Sequence, residues 1–152
     1  MAFKYSNTLI VYMDDNSEQR KEITGYFREI GFTYVIQAKN YKNLQELVQK
    51  LHPSLILMAE MEGTSGYDVC REMKEIMKEM KQKDNIKRIP IIGVGRVIYK
   101  SRWREASADD SIDETELQLA IHFDEKREDL VARIRNQIER YKEMHKQNLD
   151  AY

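Results

Sequence analysis

The stretch TLIVYMDDN, Thr8 to Asn16, decides how the rest of the chain is read. Thr8 to Met13 is a nearly continuous apolar run, short and rich in Ile, Val and Tyr. Such a run suits a strand covered on both faces. It stops at Asp14-Asp15. Asn16 then caps a helix, with Gln19 three residues on at capping-box spacing. Ile23, Phe27 and Ile30 mark the buried stripe of that helix, and Gly31 ends it.

The same alternation repeats outward. A strand is expected at Thr33 to Ala38. The next helix places Leu44, Leu47, Val48 and Leu51 at i, i+3, i+4, i+7, with Asn40 as its cap. His52-Pro53 ends it, because the residue before proline avoids helical geometry. LILMAEMEG, Leu55 to Gly63, carries a third strand, Ser54 to Ala59, into a loop that ends at Gly66. A long helix is expected from Tyr67 to Gln82, with Val69, Cys70, Met73, Ile76, Met77 and Met80 as its stripe. Ile89 to Val94 reads as a fourth strand, Val97 to Ala106 as a short helix carrying Trp103, and Ser107 to Glu116 as an acidic loop. Leu117, Leu119, Ile121 and Phe123 alternate with Gln118, Ala120 and His122, the pattern of a fifth strand. A final helix is expected from Glu125 toward Gln147.

Alternating strands and helices imply an α/β fold, a doubly wound five-stranded parallel sheet flanked by helices, with extended third and C-terminal helices. Function in such a sheet sits outside the carboxyl ends of the strands. The positions to weigh are therefore Asp14 and Asp15, Ala59 and Glu60, Gly95 and Arg96, and His122.

Composition narrows the function. The 152 residues fit one domain, divided here into a body at 1–136 and a C-terminal helical extension or linker at 137–152. With 25 Lys and Arg against 26 Asp and Glu, the net charge of −1 gives no global pull toward nucleic acid or anionic lipid. The single cysteine, Cys70, allows no disulfide within the chain and fits a reducing compartment. No apolar run approaches the roughly 20 residues of a membrane span. The first residues read as a strand and not as a secretory leader, so the expected address is the cytoplasm. The GVG of Gly93 to Gly95 lacks the context of a dinucleotide site. The three histidines show no ligand spacing, and Cys70 lies on an apolar helical stripe, which suits core and not nucleophile.

The motifs LIVYMDDN, HPSLILMA, GYDVCREMK and IPIIGV, in this order, resemble the receiver domain of bacterial two-component response regulators over about Thr8 to Asn136. The resemblance implies the flavodoxin-like, receiver-type variant of the sheet. It also implies an acidic pair for Mg²⁺ after the first strand, a phosphoacceptor aspartate ending the third, a Ser or Thr after the fourth and a Lys after the fifth. Hard oxygen ligands would hold Mg²⁺ against the charge of a phosphoryl group. Asp14 and Asp15 match the acidic pair. Ala59 stands at the phosphoacceptor, where a methyl group cannot take phosphate, and Gly95 stands at the hydroxyl position. The lysine position falls beside His122 if Leu117 to Phe123 is the last strand, or near Glu114 if ADDSIDE, Ala108 to Glu114, holds it instead. Neither supplies a lysine.

The expectation is a pseudo-receiver: a protein-interaction module in a phosphorelay, with no catalytic residue and no cofactor beyond a weak Mg²⁺ site at Asp14 and Asp15. Two carboxylates without a third ligand hold Mg²⁺ weakly. Two rivals remain. One is an atypical acceptor that uses Glu60, or less directly the loop residue Glu62. Glu60 lies one step along the strand, and alternation turns it to the opposite face unless a bulge re-aims it. The other is a small-molecule sensor in the vacated pocket. Partner contact is expected through Trp103 and through Ile138 and Tyr141, which continue the Val131, Ile134 stripe of the last helix and would serve a homodimer or an output module.

Overall fold

Five short segments form one all-parallel sheet in the order β2-β1-β3-β4-β5. The structure is a computed structural model and describes residues 8–59, 68, 70–75, 77–78, 88–95, 100–106 and 108–146. The strands are β1 (Leu9–Met13), β2 (Tyr34–Ala38), β3 (Leu55–Ala59), β4 (Ile91–Gly95) and β5 (Asp110–Asp113). Between them run α1 (Ser17–Glu29), α2 (Tyr41–Leu51), α3 (helical residues 70–75, continued at 77–78), α4 (Lys100–Glu105) and, after β5, α5 (Glu114–His122) and α6 (Asp124–Lys146). This strand order is the flavodoxin-like one, and it places the crossover crevice beside β1 and β3.

β3 and β4 are buried along their whole length, as their unbroken apolar sequences require. Alternation splits the core in two. Ile10, Tyr12, Leu57 and Ile112 face α1, α5 and α6, while Val11, Met13, Ile56 and Ile91 face α2, α3 and α4. The expected caps are present: the Asn16 side chain accepts from the Gln19 N–H, and the Asn40 side chain accepts from the Asn43 N–H, each satisfying a donor at the open end of a helix. Gly31, at φ 118°, takes the left-handed turn that ends α1. The expected strand at Ile89 to Val94 starts two residues later and includes Gly95.

The fifth strand is where expectation and structure part. Leu117 to Phe123 is helical up to His122, and β5 is Asp110–Asp113 inside the ADDSIDE segment. The alternating apolar residues are divided between core and surface: Leu117 is buried, whereas Leu119 is 38% exposed and Phe123 57% exposed. Leu117, Ala120 and Ile121, spaced i, i+3, i+4, make the inward face. A full capping box starts the helix, with Asp113 accepting from the Glu116 N–H and the Glu116 carboxylate accepting from the Asp113 N–H.

The 23-residue α6 carries the expected extension of the C-terminal helix and crosses residues 136 and 137 without a break. The extended tail expected for α3 lies outside the described residues. No described helix is long and apolar enough to cross a membrane.

Candidate functional site

The carboxyl ends of the central strands bring together the residues that decide the chemistry. Met13 pairs with Met58, Ala59 with Val94, and Gly95 with Asp113. Asp14 and Ala59 therefore stand at the same level, one step beyond the first of those pairs. Ala59 is fully buried on the α1–α6 side of the sheet. A methyl group and a glycine hydrogen thus occupy the tips of β3 and β4. Asp113 ends β5, and Glu114 follows, so the tip of β5 carries two acids. His122 lies exposed near the end of α5, away from any strand tip.

Asp14 is the most constrained acid at this end. Its carboxylate is wholly buried and accepts from the Tyr12 hydroxyl at 2.7 Å, the Gln19 side-chain amide at 2.8 Å and the Asn16 backbone N–H at 3.0 Å. Its carbonyl oxygen accepts from the Arg20 guanidinium at 2.7 Å. β1 and the first turn of α1 are joined through this residue. Burial, with the Asp14 charge and hydrogen bond added, pushes the Tyr12 phenol well above its ordinary range, so it stays a donor. Asp15 is exposed.

The donors around Asp14 do not fit a magnesium ion as they stand. Mg²⁺ demands about six oxygens at roughly 2.1 Å in near-octahedral array. Three protein donors already engage the Asp14 carboxylate, which leaves about one further lone pair for a cation. Among the described residues no group of three or more His, Cys, Asp or Glu is placed to hold a metal ion. Glu60, Glu62 and Arg96 lie outside the described residues.

The three expected contact residues belong to the core. Trp103 is the largest fully buried side chain of the described residues. Ile138 and Tyr141 are buried on the α6 side facing the chain itself. Trp103 rests on β4 at Gly93, where an added Cβ would lie 2.3 Å from Cδ2 and Cε2 of the indole. The mid-strand glycine is there because no other residue leaves room for the ring.

No protein-family model matches the chain, and no curated protein sequence matches it. Solved structures do. The receiver domain of the histidine kinase CKI1 from Arabidopsis thaliana, crystallised with Mg²⁺, is 25% identical with a TM-score of 0.63, over 82% of this chain and 94% of that one. An aspartate-to-alanine mutant of the same receiver domain is 28% identical with a TM-score of 0.61, over 76% of this chain and 87% of that one. The receiver domain of the TMAO respiratory response regulator TorR is 22% identical with a TM-score of 0.61, over 88% and 98%. The fold is that of a response-regulator receiver domain.

At the opposite end of this receiver fold lies a second polar cluster, which the sequence reading missed. Asp109, one residue before β5, accepts from the Ile91 N–H at 2.8 Å and from Lys74 Nζ of α3 at 3.1 Å. The Tyr141 hydroxyl of α6 donates to the other Asp109 oxygen and accepts from Lys74 Nζ at 3.3 Å. The Arg88 guanidinium lies 4.9 Å from the centre of the Tyr141 ring. Lys74 is only 7% exposed. Burial lowers its ammonium below the usual lysine range, and Asp109 partly offsets this. Burial and the Asp109 charge push the Tyr141 phenol up. One sign of the site was available: Lys74 follows Met73 on the buried stripe of α3.

Cys70 lies on that stripe, and burial pushes its thiol up to about 12. At pH 8.5 the native chain should react with a disulfide reagent at least about a hundredfold more slowly than the chain in denaturant. Equal rates would show that Cys70 is accessible. The folded chain keeps the proton to about pH 12, whereas the unfolded thiol loses it near its ordinary value of 9.0. Stability should therefore fall as pH rises through that window.

Proposed function

We propose that this chain is a pseudo-receiver, a signalling module that binds protein partners without taking a phosphoryl group. The observation that carries the reading is the set of strand tips: buried Ala59 on β3, Gly95 on β4 and Asp113 on β5. An acyl phosphate needs a carboxylate to form on and cations to hold it. Ala59 offers no nucleophile, and Asp113 with Glu114 would repel the anion. Without a covalent ligand, the conformational equilibrium of the domain is biased by partners alone. The apolar stripe of α6 is already used inside the fold, so partners meet another surface. A cytoplasmic address fits the single buried thiol.

The test is incubation with acetyl phosphate and Mg²⁺ followed by intact-mass measurement. The expected mass is that of the unmodified chain. A stoichiometric gain of one phosphoryl group would overturn the proposal, and mapping it to Glu60 would establish the atypical acceptor.

A further inference from the structure

We propose that Lys74, Asp109 and Tyr141 form a latch that holds the last turns of α6, beyond Ile138, and that these turns can open as a unit while the sheet stays folded. α6 is secured by Leu130, Val131, Ile134 and Ile138 in the apolar core. Beyond Ile138 the character of the contact changes. Tyr141 is held by Asp109 and Lys74, and the Gln137 side-chain amide donates to the Asp109 carbonyl at 3.3 Å. The groups that meet here come from four places: Lys74 and Cys70 from α3, Arg88 from the approach to β4, Asp109 from the approach to β5, and Gln137, Arg140 and Tyr141 from α6.

Two physical points make this cluster a latch and not simply more core. A buried ion pair fixes geometry, but desolvation offsets much of its attraction. It therefore specifies where α6 lies while adding little to the depth of the folded well. The cluster also sits at the amino ends of β4 and β5, remote from Ala59 and Gly95. The far end of α6 thus answers to the α3 side of the domain and not to the strand tips. A helix end with few apolar contacts of its own opens locally at lower free energy than the whole domain. The inference needs only the fold and stands whether or not the chain takes phosphate.

Amide hydrogen exchange on the full chain, read by mass spectrometry, tests it. Tyr141→Phe removes one hydroxyl and keeps the ring, and Lys74→Met removes the cation at similar length. In the unsubstituted chain peptides covering 137–146 should exchange at least tenfold faster than β1 and β3 and with little dependence on denaturant, and each variant should speed exchange at 137–146 by at least a further tenfold. The double variant should exceed neither single by more than threefold, since one latch is being opened. Equal protection of 137–146 and of β1 and β3 in the unsubstituted chain would overturn the proposal, because the end of α6 would then open only with the whole domain. Unchanged exchange at 137–146 would overturn it as well.

Discussion

Trp103→Ala is expected to lower the unfolding free energy by about 3–5 kcal/mol, read as a fall in the denaturant midpoint with little change in slope. The indole is fully buried between α4 and β4. β4 cannot move into the space, because β3 and β5 hold it on both sides. The cavity term is therefore near its full size. The same contact makes a second measurement. Gly93→Ala forces a methyl group to within 2.3 Å of a rigid ring, and overpacking of this kind costs about 1–3 kcal/mol or more. In the double variant the new methyl group partly fills the hole left by the ring. Its cost should fall short of the sum of the singles by on the order of 1 kcal/mol. Additive costs would show that Gly93 and Trp103 do not meet as described.

Asp14→Ala should cost about 2–4 kcal/mol, with or without Mg²⁺ in the buffer. It strands three donors at once: the Tyr12 hydroxyl, the Gln19 amide and the Asn16 N–H. Tyr12→Phe, which removes one donor, should cost about 1 kcal/mol. A metal-site acid behaves in the opposite way. Removing it from a metal-free carboxylate pair relieves repulsion and leaves stability equal or higher. An Asp14→Ala chain as stable as the parent in the absence of Mg²⁺ would therefore sink the account of Asp14 as a structural hub.

β1, α1, α2 and β3 are legible in the sequence because each obeys one period over its whole length. β1 and β3 are unbroken apolar runs, and α2 keeps its i, i+3, i+4, i+7 stripe. The end of the chain is harder because β5 has only four residues, two of them aspartates. Its place is fixed by pairing with β4, a long-range fact that no local period records. The LQLAIHF segment shows a strand-like alternation by coincidence, and the Asp113–Glu116 capping box was the local signal that outranked it. At the site, Ala59 and Gly95 could be placed at strand ends, and the family resemblance gave those places their meaning. The occupation of Asp14 could not be read this way, since it depends on how Tyr12 and Gln19 converge from a strand and a helix. Tyr141 reads from sequence as a partner contact for the same reason: its partners, Lys74 and Asp109, lie 67 and 32 residues away.

α6 is also fixed in azimuth. Arg127 donates to the carbonyls of Ala120 and Ile121, Arg133 grips Asp110, Glu116 and the Ser111 carbonyl, and Tyr141 meets Asp109. At about 100° per residue, Arg133 leaves the axis roughly 120° from Arg127 and roughly 80° from Tyr141. Anchors spread over such an arc resist turning as well as lifting. The helix therefore acts as a splined shaft, and a torque applied at its exposed end is delivered to β5 and α5 instead of being lost as free rotation.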